Sequence, residues 1–305
     1  MSRNVRDHGG GIDAARRIHG GARAEWLDLS TGINPCPYPF RPPSPEAWTA
    51  LPDRDAEAAL NASARRHWSV PADAEVVAAP GASALIARLP GLAPPGRVLV
   101  PSPTYNEHAA AFRQAGWDVA EDPSHPGPFD AAVVVHPNNP DGRLWEAAAL
   151  PPAPFLVIDE SFCDVRPEAS LVALSSRPGV VVLKSFGKFW GLAGLRLGFA
   201  ICAPDTARRL ADALGPWPVA GPALEIGTAA LSDRPWAKAT RRALADGARR
   251  LDALMAAAGA ALVGGTDLFR LYRVRDAEEM AVALARHRIL VRTFPYDRGL
   301  VRLGL

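Results

Sequence analysis

The sequence predicts an α/β protein: a large domain on a mostly parallel sheet, followed by a smaller α+β C-terminal domain. Three observations predict it. Between about residues 55 and 214, short apolar runs alternate with helix-like segments. Those runs are almost continuously apolar, as strands covered on both faces must be. Beyond residue 214 the alternation stops, and a long helical period gives way to a few strand-like pieces.

Residues 1–45 are rich in Gly and Pro and close on NPCPYPFRPPSP, which reads as an irregular N-terminal arm packed in extended form. Ser44 followed by Pro45 reads as a helix start, with Ser as N-cap and Pro at the first helical position. The large domain, 46–214, has strand candidates EVVAA (75–79), RVLVP (97–101), AAVVVH (131–136), FLVID (155–159), VVVLK (180–184) and LGFAI (197–201). Helices are predicted over Tyr105–Ala115 and Asp205–Leu214, and the alternation puts helices on both sides of the sheet. Residues 215–305 supply a linker helix and the small C-terminal domain. There Trp236, Ala243, Leu244, Leu251, Leu254, Met255 and Ala258 recur with a helical period over 233–258. A strand (268–274), a helix (Asp276–His287) and the strand-like pieces ILVRTF and LVRLGL complete it.

Composition sets outer bounds. For 305 residues, a prior of about 150 per domain gives roughly two domains. With 34 basic and 32 acidic residues the net charge is +2, without the basic excess that binding nucleic acid or another polyanion demands. No apolar run approaches the ~18 residues of a membrane span. The opening MSRNVRDHGGGIDAARR lacks the apolar core of a signal peptide, which predicts a cytoplasmic protein. Cys36, Cys163 and Cys202 are scattered, with no metal-ligand or disulfide spacing.

The chemistry concentrates in KSFGKFWGLAGLRLGF, 184–199. A strand ends at Ser185; Lys188, a Gly-rich turn and Arg196 follow. Pyridoxal-phosphate chemistry needs those parts together: an amine to form an imine with the aldehyde, a hydroxyl and a guanidinium for the phosphate, and glycines for close backbone approach. Asp159 in VIDESF ends an apolar strand, where parallel-sheet enzymes place ligand contacts. Ala82 and Ser83 in PGASALI open a helix whose free N–H groups and dipole make a phosphate seat.

The lysine segment resembles that of aminotransferase-fold enzymes, where Ser three before and Arg eight after the Schiff-base lysine hold the phosphate. The resemblance implies a three-layer, pyridoxal-phosphate fold type I large domain, with Lys188 carrying pyridoxal 5'-phosphate. It implies Asp159 on the pyridine nitrogen, Asn139 of HPNNPDGR on the ring oxygen and Tyr105 of PSPTYNEH stacked on the ring. Lys184 sits too early to replace Lys188. Phe162 stands where most relatives carry a Tyr, which leaves more of the ring-oxygen contact to Asn139. GLVRLGL resembles the strand bearing the substrate-carboxylate arginine, which maps to Arg302; Arg292 is a second anion candidate.

DHGGGIDAARR followed by LDLSTGINPCPYP, with Phe162, is similar to threonine-phosphate decarboxylases of cobalamin biosynthesis. That resemblance covers about residue 7 to the end. It implies loss of CO2 from L-threonine O-3-phosphate to give (R)-1-amino-2-propanol O-2-phosphate, with His8 and Asn34 at the substrate's phosphate end. A homodimer is implied, with no metal. The competing readings are an aminotransferase on histidinol phosphate or a related phosphorylated amine, and a non-catalytic member that keeps the fold. One departure stands out: Leu51 opens LPD where histidinol-phosphate enzymes often carry Tyr-Pro-Asp.

Overall fold

The computed structural model describes residues 8–125 and 127–305; the opening residues 1–7, read above for a signal peptide, lie outside the described residues. The chain forms two compact units. The larger holds Cys36–Asn139 and Arg143–Ala239; the smaller holds residues 8–35, Pro140–Gly142 and Thr240–Leu305.

A seven-stranded sheet organises the larger unit, in the order Glu75–Ala79, Gly198–Cys202, Val180–Ser185, Phe155–Asp159, Ala131–Val135, Arg97–Leu99, Asp118–Ala120. Gly198–Cys202 runs antiparallel to both neighbours, and the remaining pairings are parallel. The six runs expected as strands all form strands, with ends moved by at most two residues. On one face, Val98, Val133, Val157, Val181 and Leu183 pack with Leu85, Phe112 and Leu210. These come from the helices Ala82–Ile86, Asn106–Gln114 and Pro204–Leu214, with Leu85, Phe112 and Leu210 buried in them. On the opposite pleat, Ala132, Val134, Ile158, Val182 and Phe199 are equally buried. Trp68, closing the helix Arg54–Trp68, meets Phe199 edge-on at 5.0 Å. Both faces are therefore covered, which is why these strands show no polar alternation. Each buried Val or Ile contributes roughly 1.5–3 kcal/mol. Ser44 caps the helix Pro45–Thr49 as expected, its hydroxyl accepting from Ala47 N at 3.2 Å.

In the smaller unit, Arg292–Phe294, Asp297–Gly304, Phe269–Arg273 and Ala261–Thr266 form a four-stranded antiparallel sheet in that order. Met255, Tyr272, Ala277, Val291, Val301 and Leu303 make its core. Asp276 caps the helix Ala277–Arg286, accepting from Glu278 N and Glu279 N.

Contrary to what the sequence predicts, the N-terminal arm is not extended throughout. Residues Ile12–His19 form an α-helix whose Ile12 and Ala15 pack with Trp26 and Ala285. Leu27–Asp28 then pairs in parallel with Ile289–Leu290. Eight residues are too few to hold a helix by propensity, so tertiary packing of two apolar side chains stabilises this one. Among the described residues no helix is long and apolar enough to cross a membrane.

Candidate active site

The sheet register assembles the site. Asp159, the last residue of its strand, lies opposite Val135 on one side and Leu183 on the other. The turn to Asn139, the Asp159 carboxylate and the Ser185–Lys188 loop therefore leave the same sheet edge. Gly198 pairs with both Ser185 and Ala79. Its antiparallel strand starts at that edge, so Arg196 arrives there, and Ala79 delivers the turn Gly81–Ser83. This is the carboxyl edge of the parallel strands, where open α/β sheets place their ligands.

One pocket results at that edge, walled by both apolar and polar side chains. Ala82, Ser83, Tyr105, Asn139, Asp159, Ser185, Lys188 and Arg196, all eight residues expected on the cofactor side, line it. Phe162 is buried beside them, its ring centroid 5.2 Å from Lys188 Nζ.

Asp159 is only 2% exposed. Its Oδ1 accepts from Ser161 N at 2.9 Å and Ser161 Oγ at 2.5 Å, and its Oδ2 lies 2.8 Å from His108 Nε2. Burial pushes this carboxyl up; the bond and charge of His108, helped by Ser161, outweigh it and hold the group below its ordinary value. A carboxylate accepts only, so Nε2 carries the proton toward Asp159. His108 is a residue that sequence reasoning missed. The available signal was helical spacing: His108 lies three residues after Tyr105, and their rings meet edge-on at 6.0 Å.

Glycines shape the opposite wall. Gly81 has φ +89°, and a Cβ there would lie 2.7 Å from Arg196 Nη2. A Cβ on Gly198 would lie 2.4 Å from Ala82 N. Arg196 itself adopts the left-handed region (φ 54°), and its Nη1 donates to Ala193 O at 3.1 Å. Lys184 is elsewhere engaged: fully buried, it is ion-paired with Glu160. Leu51 is exposed.

His8, Asn34, Arg292 and Arg302, the residues expected at the substrate, all belong to the smaller unit. His8 is exposed and Asn34 buried. Arg292 and Arg302 are cross-strand partners. Arg302 is buried, its Nη2 donates to Ser30 O at 2.6 Å, and its guanidinium sits 5.2 Å from the Phe269 ring centroid. Burial, and then the like charge of Arg292, depress its pKa to about 10 against the pull of Tyr296 and Asp28.

The family model of aminotransferase class I and II matches residues 44–305. A threonine-phosphate decarboxylase from Pseudomonas aeruginosa is 41% identical, over 98% of this chain and 92% of that protein. One from Sinorhizobium sp is 38% identical over the same shares. A histidinol-phosphate aminotransferase from Mycobacterium bovis is 32% identical, over 92% of this chain and 83% of its own. Among solved structures, a histidinol-phosphate aminotransferase from Sinorhizobium meliloti in complex with pyridoxal-5'-phosphate superposes with TM-score 0.77 at 21% identity, covering 96% and 89% of the two chains. The L-threonine-O-3-phosphate decarboxylase from Porphyromonas gingivalis gives 0.69 at 22%, covering 92% and 94%.

Proposed function

The chain belongs to the aminotransferase class I and II family, and from that premise we propose that it is a pyridoxal-phosphate-dependent L-threonine O-3-phosphate decarboxylase. It releases CO2 and (R)-1-amino-2-propanol O-2-phosphate, a reaction belonging to cobalamin biosynthesis. The observation that carries this reading is similarity at 41% and 38% to two threonine-phosphate decarboxylases over nearly the whole chain. Histidinol-phosphate aminotransferases, at 31–32%, stand further away.

The pocket residues suit the cofactor. Lys188 would form the covalent link, and Tyr105 would face the ring. Asp159 would hold the proton of the pyridine nitrogen, a role that suits a carboxylate kept ionised by His108 and Ser161. Asn139 would donate to the ring oxygen, with Phe162 offering no hydroxyl for that duty. Ser185, Arg196 and the Ala82–Ser83 amides would hold the phosphate; Gly81 and Gly198 let Arg196 and the Ala82 backbone pack where a side chain would displace them. When bound, the cofactor supplies the sink for the electron pair left at the α-carbon as CO2 departs.

The remaining work falls to the chain. The buried Arg302 would orient the substrate carboxylate. A tight ion pair to a group about to lose its charge stabilises the ground state more than the transition state, so Arg302 acts through geometry. His8, Asn34 and Arg292 would take the phosphate end. The Lys188 amine, at the pocket wall beside Phe162, would return a proton to the α-carbon.

The same reading includes a cytoplasmic homodimer. Phe40, Trp48, Leu51 and Trp217 of the larger unit expose large apolar surface, which supports burial against a second copy. Sedimentation should give twice the 32.4 kDa of one chain.

The deciding experiment supplies L-threonine O-3-phosphate with the cofactor and no 2-oxo acid. CO2 and a phosphorylated amino alcohol, identified by mass, are expected. Turnover of histidinol phosphate that depends on a 2-oxo acid, without CO2, would replace the proposal with the aminotransferase.

A further inference from the structure

The proposed function leaves LDLSTG (27–32) without a task, although its Ser30 is one of the few fully enclosed polar residues in the smaller unit (2% exposed). Two other segments of the chain meet on it, and its own neighbour Asp28 supports it. Its hydroxyl accepts from Gly10 N at 2.7 Å and donates to Asp28 Oδ1 at 2.5 Å. Its own N–H donates to the same Asp28 oxygen at 2.9 Å. Its carbonyl accepts from Arg302 Nη2 at 2.6 Å.

The His-Gly-Gly segment is fitted to this residue. A Cβ on Gly9 would lie 2.3 Å from Ser30 O and 3.1 Å from Ser30 Oγ, and Gly10 holds φ +90°. Any larger residue at position 9 would strike the carbonyl that holds Arg302. The two glycines thus permit a close seat on Ser30, and the Gly10–Ser30 bond fixes where His8, two residues earlier, begins. Beyond Ser30, Gly304 N donates to Leu29 O at 2.7 Å, which ties the Arg302 strand to the same stretch.

We infer that Ser30 is a positioning residue for substrate recognition. It registers the His8 segment, through its hydroxyl, against the Arg302 guanidinium, held by its carbonyl. The inference rests on the reading above, in which Arg302 takes the substrate carboxylate and His8 the phosphate. A substrate with those anions at its two ends is measured by the spacing that Ser30 sets. Asp28 completes the device. Its Oδ1 takes the one hydroxyl proton, leaving the serine lone pairs for Gly10.

The two halves of the device separate by mutation. Ser30→Ala removes the hydroxyl and keeps the carbonyl, so the His8 segment is released while Arg302 stays anchored. Groups that grip substrate and transition state alike set KM without altering kcat. In the cofactor-loaded S30A enzyme, KM for L-threonine O-3-phosphate should rise about fivefold, the worth of one ordinary hydrogen bond. Its kcat should stay within twofold. The inhibition constant of L-threonine, which lacks the phosphate, should not change, because its carboxylate meets an undisturbed Arg302. Amide hydrogen exchange over residues 8–11 should quicken in the same variant.

A KM within twofold of wild type overturns the inference. So does a parallel weakening of L-threonine, which would mean general loosening. Unchanged exchange over 8–11 would show that the tie does not hold the segment. Lack of turnover by the wild-type enzyme would instead fell the parent reading. The exchange measurement, which needs no catalysis, still decides the tie in that case.

Discussion

Asp159→Asn isolates charge from shape in the pocket. Asparagine keeps an oxygen where Oδ1 accepts from Ser161 N and Ser161 Oγ. Its amide replaces Oδ2, which faces His108 Nε2 at 2.8 Å. Two donors would then meet, unless the imidazole shifts its proton to Nδ1. That nitrogen is buried and has no partner among the described residues, so the shift breaks no existing bond. The variant should therefore fold, hold the cofactor through Lys188, Ser185 and Arg196, and lose only the anion beneath the ring nitrogen. A hydrogen bond to a charged group contributes about 1.5–3 kcal/mol. At 1.4 kcal/mol per decade this lowers kcat by roughly 10- to 150-fold. The assay is steady-state CO2 release at saturating cofactor, with circular dichroism as the check on folding. A folded, cofactor-loaded D159N enzyme with kcat within threefold of wild type would refute the role. The pH dependence has a sign as well. A depressed carboxyl contributes stability above its ordinary value of about 3.9 and loses it only as pH falls through the lower folded value. Any acid loss of activity above pH 5 must come from another group.

Three further outcomes follow from the same geometry. Lys188→Ala should abolish both turnover and the absorbance band near the visible edge that the cofactor gives with wild-type protein; a retained band would move the covalent link to another residue. Lys184→Met leaves the buried Glu160 carboxylate unpaired and should destabilise the fold by about 3–5 kcal/mol in denaturant titration. Burial opposes the Lys184 charge, yet Glu160 and Asp164 raise its pKa to about 12, so this stabilisation is complete below 10.5 and fades as pH climbs through 12; a loss under 1 kcal/mol would contradict the pairing. A thiol reagent at pH 8 should titrate one cysteine in the native protein and three in denaturant. Cys36 is exposed, whereas burial raises both Cys163 and Cys202, the latter to about 12; two fast native thiols would argue against that core.

The central strands were legible because burial on both faces demands unbroken apolar runs, and FLVID or VVVLK admits little else. The pocket lining was legible in two ways: strand ends place Asp159 and Ser185, and the family resemblance supplied Asn139 and Tyr105. What escaped was set by contacts rather than by pattern. Asp118–Ala120 is a three-residue edge strand, too short to carry a period. Ala261–Thr266 was hidden by Gly264 and Gly265, which weaken strand propensity. Backbone contact demands both: a Cβ on Gly264 would lie 2.2 Å from Asp141 O, and one on Gly265 2.4 Å from Phe269 O. The helix Ile12–His19 owes its place to Trp26 and Ala285, the latter 273 positions past Ile12. Beyond its spacing from Tyr105, nothing in the sequence pattern marks His108; its contact with the Asp159 carboxylate does.

The chain has few lysines that could form the proposed covalent link. Of 34 basic residues only three are lysines, at 184, 188 and 238. The other 31 are arginines, whose guanidinium stays protonated and does not form such links. Lys238 is exposed on the helix Arg234–Ala257. Lys184 points into the core against Glu160, with Asp164 adding a second negative field, and is kept protonated to about 12. An amine must shed its proton to attack an aldehyde, so Lys184 is disqualified by the charges that make it a good structural residue. Four residues on, past the strand end, Lys188 lines the pocket with Asp159 and Arg196. The step from buried strand to open turn separates the lysine that holds the fold from the one available for chemistry.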